Sequence, residues 1–259
     1  MNSPRFDALT RRVSAPVNRR IGLGVLVGAS LPVLGLSAVA DAKKKKKKAT
    51  LCLNGQTVKK PKKKVKKFLK QGATKGACDP TLCGNGGPCT VFVTAAGFKA
   101  SQIGSLAGGD ARCQAAADAA NLNGAYKAWL SFGSATPGSR FANVTRAGPY
   151  RLTPNGSDGT NPPPLVVTDF ATLIACSGSN CLQSPINRTE TGGVVAGDPR
   201  AWTGTFPNGT STPFTCSGWT NDAELGVIGR SDLADSSWTN HGTSLGGQAL
   251  RLYCFQQVE

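Results

Sequence analysis

The chain has 259 residues, 39% apolar and 17% charged, with 32 Gly, 16 Pro and nine Cys but one His and one Met. One medium domain with appendages fits that length, and the lone His241 excludes multi-histidine zinc sites and most histidine-centred catalysis. The net charge of +16 is uneven: residues 43–75 carry fifteen Lys and no carboxylate, whereas residues 76–259 hold ten basic against twelve acidic side chains. Any polyanion argument therefore belongs to the N-terminal stretch alone.

In chain order, Arg5, Arg11, Arg12, Arg19 and Arg20 precede a weakly apolar run, Ile21–Ala40. Small-x-small sites follow at Ala38-Val39-Ala40 and Ala40-Asp41-Ala42, the order of a secretory signal peptide over residues 1–42. The Arg19-Arg20 pair is similar to a twin-arginine signal, although Gly22 stands where a bulky apolar residue is usual. Gly22, Gly24, Gly28, Gly35 and Pro32 make a poor permanent helix, and the lysines after it would put strong positive charge on the far side. No stable membrane span is expected after processing, and the location expected is secreted or cell-surface.

Residues 43–78 form a Lys-rich segment. Its first part, Lys43, Lys44, Lys45, Lys46, Lys47 and Lys48, reads as a solvated, disordered charge run. Its second part runs from Cys52 to Cys78 and holds Lys59, Lys60, Lys62, Lys63, Lys64, Lys66, Lys67, Lys70 and Lys75. Asn54-Gly55 is a turn signal, and Val65, Phe68 and Leu69 sit at helical spacing. The frame C-x-N-G-x-T…L-x-x-G-x-T-x-G-x-C resembles a short motif found beside extracellular bacterial domains. A Cys52–Cys78 bond would close a loop worth about 3–4 kcal/mol in chain entropy. The segment reads either as an electrostatic tether to an anionic cell-wall polymer or other polyanion, or as a spacer. Phe68 is its one aromatic residue, so base stacking is not indicated.

Residues 79–90 read as a Cys/Gly linker, in which Cys83 and Cys89 flank a tight glycine turn and pair with each other. The domain is expected over 91–259. Val91–Thr94 opens it as an alternating strand, and Leu106–Leu122 reads as a helix. On that helix Ala107, Ala111, Ala115, Ala119 and Leu122 mark one face, and Asp110, Gln114 and Asp118 another. Ala128–Phe132 reads as a second strand, and Gly133–Pro164 as loop. Strands follow at Ala201–Gly204, Glu224–Ile228 and Ala249–Phe255, separated by Gly- and Asn-rich turns. One Ala-rich helix among short strands and long loops makes the fold class α+β.

The stretch "VFVTAAGFKASQIGSLAGGDARCQAAADAANLNGAYKAWLS" closely resembles the opening of bacterial extracellular domains with an endostatin-like, C-type-lectin-like fold. So, in order, do "SPINRTETGG", "AWTGTFPNGT", "CSGWTNDAELGVIG", "SSWT" and "LRLYCF". The family, long labelled a domain of unknown function, includes the endostatin-like surface proteins of pathogenic spirochaetes. The resemblance implies adjacent termini, long loops suited to ligand binding and a helix-to-last-strand disulfide, Cys113 with Cys254. Within that frame Cys176 and Cys181 form an added local clasp, and Cys216 is left free or paired between molecules. Relatives place a further Cys shortly before the last strand, where this chain has Gly246-Gly247.

Catalytic constellations are weak. His241 lies near Asp235, Ser236 and Ser237, but no G-x-S-x-G occurs. Asp222 with Glu224, or Asp232 with Asp235, are the carboxylate pairs a glycosidase or calcium site would use. "WTND" at 219–222 only loosely echoes calcium-binding lectins, and no C-x-x-C zinc spacing is present. No cofactor or metal is expected. The reading is a secreted, non-enzymatic binding module for an extracellular protein or glycan. A polysaccharide-acting hydrolase and a structural adhesion protein are the alternatives.

Overall fold

In a computed structural model, residues 48–258 are described except 54, 55, 72, 78, 85, 143, 156–159 and 161. The expected signal peptide, Lys43–Lys47 and Cys78 lie outside the described residues. The Lys-rich segment folds from its first described residue. Strand β1 (Lys48–Leu53) pairs antiparallel with β2 (Gln56–Pro61), Leu53 opposite Gln56, and with the short β3 (Thr74–Lys75). The expected charge run therefore ends in a strand, with Lys48 opposite Pro61.

Pro61 has no N–H to continue a ladder, and the chain turns there through a 3-10 turn at Lys62–Lys64 into α1 (Val65–Lys70). Leu51, Cys52 and Ala73 are buried, while Val65, Phe68 and Leu69 are half-buried on the inner side of α1. Cys52 is disulfide-bonded; the expected pairing with Cys78 falls outside the described residues.

Residues 79–90, expected as a linker, are part of the fold. They carry β4 (Asp79–Cys83), β5 (Gly86–Gly87) and the start of β6 (Cys89–Val93). Cys83 and Cys89 are bonded to each other and buried in the core of the domain. An aromatic core reaches this stretch, so it cannot act as a hinge.

The remaining strands are β7 (Tyr126–Ala128), β8 (Tyr150–Leu152), β9 (Leu165–Val167), β10 (Arg200–Trp202), β11 (Leu225–Arg230), β12 (Gly242–Leu245) and β13 (Arg251–Gln256). With β6 they form one mixed sheet of eight strands, ordered β12-β11-β10-β13-β6-β8-β9, with β7 also on β13. The last strand is the hub: β6 takes one edge, and β10 and β7 share the other end to end. The fold is α+β, with few and mostly short helices.

Both faces of the central strands are covered, as their near-continuous apolar sequences require. Val91, Val93, Tyr253 and Phe255 face a cluster built on Trp129, Trp238, Phe141 and Phe170. Phe92, Leu252 and Cys254 face a second cluster containing Trp202, Trp219 and Cys113. The first face is closed by the irregular segment from 137 to 186, expected to be loop through Pro164. It contains α4 (Pro137–Arg140), β8, β9 and α5 (Phe170–Ile174).

The second face is closed by α2 (Ala100–Ile103) and α3 (Leu106–Ala119), the latter capped by Ser105 Oγ accepting from the Gly108 N–H. The alanine face of α3 at 107, 111, 115 and 119 is exposed, and Gly109, Cys113 and Ala117 are buried instead. The cause is close approach: a Cβ at Gly109 would lie 2.6 Å from Leu130 and 3.3 Å from the Ala128 Cβ. The polar face works inward. Gln114 accepts from the Tyr126 N–H and Asp110 from the Ala128 N–H, and Asp110 also pairs with Arg140 at 2.5 Å. Cys113 is bonded to Cys254 across this interface, 141 positions apart, and Cys176 to Cys181 in the loop after α5.

Candidate functional site

The groove begins where the chain leaves β7. The Ser131 N–H donates to Thr203 O, beside the end of β10, and Phe132 closes a tight hairpin with Ala135 through a pair of backbone bonds. Beneath it lies a buried hydroxyl chain. Thr205 Oγ1 donates to Thr203 O, so the proton between Ser131 and Thr205, 2.8 Å apart, belongs to Ser131. Thr239 Oγ1 accepts from Trp129 Nε1 and donates to Thr205 O. All three of these hydroxyls, on Ser131, Thr205 and Thr239, are partnered, which stiffens the support beneath the hairpin.

Tied to Ser131 is an unusual backbone. Cys216, Ser217, Gly218 and Trp219 have φ of 48°, 52°, 73° and 70°, one turn of left-handed helix closed by Trp219 N–H to Thr215 O and Thr220 N–H to Cys216 O. Each non-glycine residue held there costs about 1–2 kcal/mol. Burial offsets the cost: Cys216 and Trp219 have no exposed surface, and Trp219 packs edge-on to Trp202 at 5.8 Å. Its indole N–H donates to Ser131 O, tying the turn to the hairpin. Glycine is needed at 218, where a Cβ would meet the Phe132 ring at 3.1 Å. Strain of this kind tends to gather at functional surfaces.

Between the hairpin and the 211–215 stretch that leads into the turn is an open depression of about 480 Å³, lined by Phe132, Gly133, Ser211, Thr212, Pro213 and Thr215. Phe132 is 50% exposed and Phe214, beside it in sequence to the lining, 46%. Leu225 and Leu245, register partners across β11 and β12, are also exposed. The lining carries aromatic, aliphatic and hydroxyl groups and no ionisable side chain.

Three of the four carboxylates singled out from sequence, Asp222, Asp232 and Asp235, are engaged elsewhere. Asp222 accepts from the N–H and hydroxyl of Ser101 at 2.9 and 2.8 Å, bonds that hold its carboxyl below the usual range. Asp232 is paired with Arg230, and Asp235 accepts from the Ser237 N–H. His241 is exposed, and neither carboxylate is bonded to it. Among the described residues no three His, Cys, Asp or Glu side chains gather as a metal set would. All four Trp are buried in the two clusters, so none offers a sugar platform.

Cys216 is unbonded and fully buried, its thiol aimed at Glu224 O. Burial first, then Asp222 and Glu224, push its pKa up to about 12, so it is an inert thiol rather than a nucleophile. Its lack of exposed surface also leaves no route to the intermolecular pairing considered from sequence. A scan against protein-family models and a search of curated proteins return no match for the chain. Among the described residues no helix is long and apolar enough to cross a membrane.

The sequence reading missed this groove. In the sequence Phe132 stands at the end of an expected strand, and "CSGW" carries only the family resemblance and a loose echo of calcium-binding lectins. The one available signal was Gly218 between two residues that disfavour positive φ.

Proposed function

We propose that the protein is an exported, non-enzymatic binding module that recognises an extracellular protein or glycan through the groove between the Phe132 hairpin and the 211–215 stretch before the left-handed turn. One observation carries the reading. The depression is lined by an aromatic ring and hydroxyls without an ionisable group, while Asp222, Asp232 and Asp235, candidate carboxylates for a hydrolase, serve structural bonds. Apolar surface with a few fixed polar groups is how ligand sites are commonly built. The resemblance to endostatin-like, C-type-lectin-like domains agrees with the α+β class, the helix-to-last-strand disulfide and the pairing of first and last domain strands. Disulfides fit an oxidising compartment. In this reading the Lys-rich region tethers or spaces the domain.

The test is a glycan array combined with a panel of extracellular matrix proteins, probed with the parent protein and with Phe132→Ser/Phe214→Ser. Both side chains are about half exposed, so the variant should fold normally. A ligand that survives moderate salt and is lost in the variant supports the groove. A ligand indifferent to both substitutions, or hydrolysis of an arrayed polysaccharide, would overturn it.

A further inference from the structure

The groove leaves the strongest charge anomaly of the molecule unused. Within the folded region, Lys62, Lys63, Lys64, Lys66, Lys67 and Lys70 are all exposed along the 3-10 turn and α1. At about 2.0 Å per residue for the first part and 1.5 Å for the second, they occupy about 15 Å. That is roughly one positive charge per 2.5 Å, about two-thirds of the linear charge density of a nucleic-acid duplex at about one per 1.7 Å. Among the described residues no carboxylate pairs with any of them. Self-repulsion of this size destabilises a fold, yet the segment is given a sheet, a helix and a disulfide-bonded Cys52 to hold it. A mere spacer would need none of these.

We propose that Lys48–Lys75 is a folded binding site for a linear polyanion read by charge density. The proposal rests on the tether reading and deepens it by placing the site on folded, exposed lysines and stating that it reads charge density along a linear polymer. Three features favour a polymer. The segment uses lysine and no arginine, point charges without the fork that selects a single phosphate or carboxylate. Phe68 is half-buried with the Lys60 ammonium 5.2 Å over its ring, so no aromatic face is offered to a base. Val65, Phe68 and Leu69 turn inward, so α1 presents no apolar face for insertion among lipids. What remains outward is charge alone. Binding then comes from counterion release, and its free energy must follow salt.

The experiment titrates the full chain with linear polyphosphate and, in a second arm, with heparin, across a salt series. The variant replaces Lys62, Lys63, Lys64, Lys66, Lys67 and Lys70 by Gln, and a second variant replaces the same six by Arg. Amide exchange of β1 and β2 checks that both still fold. The parent should give a straight line of log affinity against log salt. The Gln variant should flatten that slope by about 4, six contacts at roughly 0.7 each, and the Arg variant should restore it. Preference for one polymer assigns phosphate or sulfate as the anion and supports the proposal. An unchanged slope in the Gln variant overturns it, as does failure of Arg to restore binding. So does displacement by inorganic phosphate at equal phosphate concentration, or equally tight binding to vesicles of equimolar phosphatidylcholine and phosphatidylglycerol. The groove ligand is salt-tolerant and lost in Phe132→Ser/Phe214→Ser, so either idea can fail without the other.

Discussion

The two folded regions are held together by different means and present different surfaces. Among its described residues the region from Lys48 to Lys75 buries little more than Leu51, Cys52 and Ala73, and its exposed side chains are mostly lysine. The region from Asp79 onward packs four Trp into two clusters on either side of a sheet and has nearly balanced charge. A chain of fewer than about 40 residues seldom makes an adequate core without a cross-link or metal, which accounts for the bonded Cys52. The larger region can afford strain, and places it at the left-handed turn beside an exposed phenylalanine. One region displays charge density, the other displays shape.

The largest effect that would sharpen this contrast comes from Cys113→Ala/Cys254→Ala. The bond spans 141 positions, and its loss should cost about 5 kcal/mol in chain entropy. Urea unfolding followed by tryptophan fluorescence reports only the larger region, since all four Trp lie there. Its midpoint should fall steeply while amide protection in β1 and β2 stays unchanged. Joint loss of both would mean that the regions are one cooperative unit.

Gly218→Ala should act more modestly. The residue sits at φ 73° with the Phe132 ring 3.1 Å from the new methyl, so a cost of about 1–2 kcal/mol is expected. Groove binding should weaken with it and the polyanion salt slope should not.

Much of the larger region was legible in the sequence. Val91–Thr94, Glu224–Ile228 and Ala249–Phe255 carry apolar runs that the structure uses as β6, β11 and β13. The extent of α3 was also legible, within a few residues at its end. Its orientation was not, because alanine periodicity is a weak signal and the interface is chosen by a glycine and a disulfide. β8 is three residues, Tyr150–Leu152, and its parallel partner β6 lies about 60 positions earlier in the chain, so no local pattern announces it. The turn at 216–219 was illegible for another reason: Cys, Ser and Trp avoid positive φ, and only the burial of Trp219 and Cys216 overrides that preference.

The smallest effect concerns acid. Asp222 is held below its usual pKa by the two Ser101 bonds. A depressed carboxylate contributes stability above its unfolded pKa, near 4, and loses it as pH falls through the lower folded value. Asp222→Asn should therefore lower the unfolding midpoint slightly near neutrality and flatten its acid limb below about pH 4, parent and variant converging as the carboxyl protonates. An acid limb that keeps its full slope would show that the Ser101 bonds contribute nothing.

The most direct test of two separate binding surfaces is amide hydrogen exchange of the full chain with and without linear polyphosphate, at low and at high salt. The account predicts slowed exchange confined to residues 48–75 at low salt, abolished at high salt, with residues 131–135 and 211–219 unaffected throughout. Protection appearing at 211–219, or persisting at high salt, would contradict it.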